Sequence, residues 1–215
     1  KPSTIANWLG AQILYSYLTE GEVKPELLHA IPSLQKMAHN YSSDYGEWGK
    51  AEFEISIALT LINVGLYDQS EIVLKSANKF FHCPKEDVAT IPSEYIILQI
   101  VAKWRQTKEL PVESAMVIEN LLESIHGNDT ITFKAIAYAT VGTFYFYQNK
   151  SEKFNSYFQS ALELVSLNRN KMIEVKLLKI LSALLNILGE TRSATQCEIY
   201  AKGLVDSSGF IFEKF

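Results

Sequence analysis

Five breaks in the apolar pattern, at Gly21, Gly65, Thr107, Asn149 and Gly189, recur at spacings of 44, 42, 42 and 40 residues. A near-constant period of this length marks one supersecondary unit repeated along the chain, and it limits the fold more than any single motif does. An apolar stretch of helical periodicity precedes each break and another follows it. Helix-start residues stand behind several breaks, at Pro25, Pro111 and Ser151. The spacing predicts five helical hairpins. First helices are expected over 4–20, 47–64, 92–106, 131–147 and 171–188, and second helices over 25–41, 68–82, 111–126, 151–167 and 191–206. Pro32 is expected to kink or shorten the second of these ten.

The row of aromatics in "TVGTFYFYQNKSEKFNSYFQSALEL" (140–164) tests that reading, because aromatics favour strands. Its surroundings decide for a helix: Ala135, Tyr138, Val141, Gly142, Tyr145 and Phe146 recur at steps of three and four. Counted from Asn149, Gly142 lies seven residues before the turn and Tyr145 four before it, while Phe158 and Ala161 follow at nine and twelve. This resembles the tetratricopeptide (TPR) pattern, in which a small residue lets the second helix approach the first. Ala58, Leu61, Leu74 and Ala77 repeat it around Gly65, and Ser182, Leu185 and Ala201 around Gly189. The first and third hairpins match poorly. The resemblance implies an all-α fold, a TPR-like right-handed superhelix of about five stacked hairpins, with residues 1–215 as one domain. The aromatic row is then inter-helix packing.

Hydrophobic residues make up 47% of the chain and charged residues 20%, an ordinary globular balance. The net charge is −4 with no block of like charge, so an electrostatic footprint for nucleic acid is missing. No apolar run approaches the ~18 residues of a membrane helix, and "KPSTIANWLG" has no signal-peptide core. Cys83 and Cys197 lie far apart and suit free thiols in a reducing cytoplasm. The start at Lys1, without methionine, suggests a piece of something longer.

Chemistry is sparse. His29, His39, His82 and His126 sit in separate segments without metal-ligand spacing, and no nucleophile, phosphate-loop or dinucleotide motif occurs. Glu52 and Glu54 face different sides of their helix and form no evident acid/base pair. The reading is a non-enzyme with no catalytic residue, no metal and no cofactor.

Candidate function therefore rests on the concave surface that first helices line in a TPR arrangement. Its exposed positions include Glu52, Ile62 and Asn63, then Gln99, Lys103 and Gln106, then Thr143, Phe146 and Tyr147, and finally Lys176, Lys179, Asn186 and Ile187. Amides, hydroxyls and lysines among aromatics suit an extended peptide, whose backbone needs donors and acceptors and whose side chains need apolar pockets. The chosen peptide-binding set is Asn63, Gln99, Thr143, Tyr147 and Asn186, with Lys103 and Lys179 for a carboxylate.

Three stretches, taken in order and spacing, resemble the C-terminal region of the Rgg/MutR-type regulators, within the Gram-positive peptide-pheromone receptors. They are "DYGEWGKAEFEISIALTLI" (44–62, with Trp48 and Glu52), "LQIVAKWRQTKELPVESAMVIENLLESI" (98–125) and "ITFKAIAYATVGTFYFYQNKSEKFNSYFQSALELV" (131–165). The resemblance implies a cytoplasmic, homodimeric transcription factor for quorum sensing. DNA would be bound only through an N-terminal domain absent from this chain, and a short peptide in the groove would shift the dimer arrangement. Phe210, Ile211, Phe212 and Phe215 add an apolar tail where a repeat array is normally capped by polar residues. The alternative is a TPR-like scaffold that docks protein partners and takes no small ligand.

Overall fold

The computed structural model describes residues 2–41, 46–81, 91–125, 131–167 and 171–208. His82, Cys83, His126 and the apolar tail residues Phe210, Ile211, Phe212 and Phe215 lie outside the described residues. Among those described there are ten α-helices, one 3-10 turn and no strand. In chain order the helices are α1 (Pro2–Glu20), α2 (Pro25–Tyr41), α3 (Gly46–Asn63), α4 (Tyr67–Ala77), α5 (Ser93–Thr107), α6 (Val112–Ser124), α7 (Ile131–Tyr147), α8 (Ser151–Leu167), α9 (Lys171–Ile187) and α10 (Thr191–Ser208). Each answers an expected segment, and α4 passes into the 3-10 turn Asn78–Phe80. Pro32 does not shorten α2, which runs on to Tyr41 with the proline inside it.

Two compact units divide the chain, Lys1–Glu109 and Leu110–Phe215. In the first, α1 packs on α2 and α3, α3 on α4, and α5 on both α3 and α4. Leu9, Ile13, Phe53, Ile57, Leu61, Leu74, Ile97 and Leu98 fill its core. The second unit runs from α6 to α10 with each helix packed on its neighbour in sequence, and α7 also touches α9. Here α7 is buried nearly all round, from Phe133 to Phe146, as a helix apolar on every side must be.

The turns explain why some hairpins follow one pattern and others do not. Gly65, Asn149 and Gly189 all take left-handed backbone angles (φ 81°, 55° and 79°). At each, two hydrogen bonds close the helix end in the same way. The left-handed residue's N–H donates to the carbonyl three residues back (Ile62, Phe146, Asn186), and the next N–H donates to the carbonyl five back (Leu61, Tyr145, Leu185). This is the Schellman closure, for which glycine and asparagine pay little steric penalty. The residue after the turn (Leu66, Lys150, Glu190) then accepts the first hydrogen bond of the following helix. At Gly21 and Lys108 a single bond closes the end instead, to Tyr17 and Trp104. Hairpins with matching turns are the ones whose packing residues match.

Those packing residues meet across the hairpin. A Cβ placed on Gly142 would stand 2.7 Å from Cδ2 of Phe158 and 3.3 Å from Cβ of Tyr157. At the equivalent positions of the last hairpin, Ser182 donates to Glu198 at 2.9 Å. Phe144, Tyr145 and Phe146 of the aromatic row are core, while Tyr147 is exposed; Phe146 meets Phe154 edge-on at 5.3 Å, and Phe154 lies 5.1 Å from Phe158.

Candidate functional site

Of the seven residues chosen for peptide contact, Asn63, Gln99 and Lys103 belong to the first unit. Thr143, Tyr147, Lys179 and Asn186 belong to the second. Asn63 and Thr143 are buried, and the Thr143 hydroxyl donates to the Ala139 carbonyl one turn back at 2.8 Å. Gln99 and Lys103 lie exposed, one turn apart on α5, with the Gln99 amide donating to the Tyr95 hydroxyl at 2.7 Å. Gln106 turns instead to α4, where it donates to Asp68 at 2.8 Å and Glu71 at 3.3 Å. Lys176 and Lys179 are half-buried and already have interaction partners.

Within the second unit, two large apolar side chains hold the same place in their hairpins. Tyr147 and Ile187 are both two residues before a Schellman turn, on α7 and α9, which touch. They are 64% and 67% exposed, so two large apolar groups stand open at equivalent places. Exposed amides flank them, Gln148 beside Tyr147 and Asn186 beside Ile187. Among the described residues, no cluster of three or more His, Cys, Asp or Glu could hold a metal ion, and no helix is long and apolar enough to cross a membrane. Cys197 is a half-buried free thiol, pushed up by burial and by Glu198.

Two polar clusters escape sequence reasoning because their members are distant in sequence. In the first unit Glu54 is 0% exposed. Its Oε1 accepts from Gln35 at 2.6 Å and from Ser76 at 3.2 Å, and lies 2.7 Å from His39 Nε2. Its Oε2 has no hydrogen-bond partner. In the second unit Glu119 accepts from Tyr145 through both oxygens at 2.8 Å and from Tyr157. Lys153 completes the group, donating to the Tyr145 oxygen at 2.9 Å with Glu119 at 3.8 Å. The rings of Tyr145 and Tyr157 stack at 5.7 Å. Both clusters tie three helices together, α2, α3 and α4 in one and α6, α7 and α8 in the other.

The Glu119 cluster has a pH signature. Burial, then the hydrogen bond and charge of Glu119, hold the Tyr157 phenol well above the usual tyrosine range. Unfolded, it would ionise at about 10. The folded chain thus keeps a proton that the unfolded chain loses. This contribution to stability is complete below that value and falls as pH rises past it. Glu119→Gln is expected to start phenolate formation at lower pH, followed by ultraviolet absorbance; an unchanged titration would contradict the assignment.

No protein-family model, curated protein or solved structure matches this chain.

Proposed function

We propose that this chain is the ligand-binding region of a regulator that takes a short peptide on its TPR-like hairpins, as the resemblance to Rgg/MutR-type receptors implies. The regulator would act as a homodimer, with DNA contacted through a separate domain. The observation that carries the reading is the pair of exposed apolar residues, Tyr147 and Ile187, at equivalent positions and flanked by the amides of Gln148 and Asn186. An extended peptide needs that alternation: amides to meet its backbone, and open apolar surface for alternate side chains.

Each hydrogen bond nets only ~0.5–1.5 kcal/mol once water is displaced, so affinity must come from several contacts together. Calorimetric titration of short apolar synthetic peptides, drawn from the host's own secreted pool, tests this on the wild type and on Tyr147→Ala/Asn186→Ala. Both side chains are exposed, so the double variant keeps its fold. It is expected to bind at least about tenfold more weakly, since ~1.4 kcal/mol is tenfold. Equal affinity would refute the placement. Absence of binding by every peptide would favour the scaffold that docks a folded protein.

A further inference from the structure

The helix α10 rests on α9 through Ala194 and Ala201, which are buried. Its other side carries large apolar groups in the open. Ile199 is 66% and Tyr200 54% exposed, and with Gln196, Gly203 and Leu204 they border a shallow depression of about 410 Å³. Contiguous apolar surface in the open marks a contact.

The charges along this side say what covers it. Arg192, Ile199 and Asp206 stand seven residues apart, all exposed, and that spacing keeps them on one stripe of the helix. Laid antiparallel on the same stripe of a second copy, with the two-fold axis at Ile199, the stripe complements itself. Ile199 meets its own counterpart, Thr195 meets Gly203 and Gln196 meets Lys202. At each end Arg192 meets Asp206, so attraction occurs twice by symmetry. A parallel arrangement would set arginine on arginine and aspartate on aspartate. Gly203 leaves room for close approach: it has no side chain, and the space where a Cβ would stand is open. From Arg192 to Asp206 the stripe is roughly 21 Å long, at 1.5 Å per residue.

We infer that α10 is a homodimerisation helix, pairing antiparallel with α10 of a second copy about Ile199, with Arg192 and Asp206 setting direction and register. This deepens the dimeric receptor reading by naming its self-contact, and it is tested apart from peptide binding, which concerns α7 and α9.

Sedimentation of the full chain over the micromolar range, at low ionic strength where surface charges are least screened, provides the test. The wild type is expected to dimerise and Ile199→Asp, with like charges at the axis, to be monomeric. Arg192→Asp and Asp206→Arg each replace two attractions by two repulsions and are expected to weaken dimerisation about tenfold. Arg192→Asp/Asp206→Arg restores complementarity and is expected to regain most of the loss, which a merely structural effect would not do. All three positions are exposed, so thermal melting of the monomers should stay unchanged. A monomeric wild type, a dimer indifferent to Ile199→Asp, or a charge swap without recovery would each overturn the inference. So would a dimer abolished by removing residues 209–215 yet untouched by these substitutions, which would assign the contact to the tail.

Discussion

Gly142→Leu is expected to destabilise the second unit by about 1–3 kcal/mol, the usual range for forcing extra carbon into a packed interior. For a chain of this length that is a fall of about 3–10 °C in melting temperature. The reason is local. Even a single carbon at this position would sit 2.7 Å from the ring of Phe158, which is itself buried and has no free direction to retreat. The α7–α8 hairpin must then open or its rings must leave their preferred rotamers. Shrinking the opposing side chain should therefore rescue a smaller insertion: Phe158→Leu should cost less in the Gly142→Ala background than in the wild type. Differential scanning calorimetry of Gly142→Leu and of the four proteins of this cycle decides it. A melting temperature unmoved by Gly142→Leu would mean that the two helices are further apart than this packing requires.

The second large effect concerns Glu54. A carboxylate with no exposure, one oxygen crowded with donors and the other with none, depends on those donors to stay inside. His39, 2.7 Å away, supplies an imidazole able to carry positive charge, held in place by the edge of Phe80 at 4.9 Å. Removing one partner of such a buried pair typically costs about 3–5 kcal/mol, because the other is stranded. His39→Ala is expected near the lower end of that range, since Gln35 and Ser76 still donate. In a Glu54→Gln background no charge remains to be stranded, so the same histidine substitution should cost at most about 1 kcal/mol, a neutral hydrogen bond's worth. Denaturant unfolding of the cycle measures the difference. Equal costs in both backgrounds would show that the pair carries no electrostatic coupling.

These two residues also show what could be read from the chain and what could not. The hairpins were legible because their turns need left-handed backbone, and Gly65, Asn149 and Gly189 are the residue types that advertise it. Counting from them placed Gly142, Ala161 and Ala201 in the packing. At the third turn the left-handed residue is Lys108, a type that gives no such signal. The sequence pattern therefore breaks one residue early, at Thr107, and Gln106, expected on the concave face, bonds instead to Asp68 and Glu71 on α4.

Exposure was harder to read than helicity. Asn63 and Thr143 are polar, which favours solvent by type, yet both are buried. For Thr143 the backbone provides the reason, since a threonine on a helix can satisfy its hydroxyl at the carbonyl four residues back. The polar clusters were invisible because Glu54 is 15 residues from His39, and Glu119 is 26 from Tyr145 and 38 from Tyr157. Nothing in the local pattern brings such residues together.

Peptide capture at the ends of α7 and α9 is most directly tested by photocrosslinking. A binding peptide carrying a photoreactive side chain would be irradiated with the full chain and the adducts mapped by mass spectrometry. Adducts are predicted on Tyr147, Gln148, Asn186 and Ile187, and should disappear when unlabelled peptide competes. Saturable adducts confined to α10 or to the first unit would contradict the account.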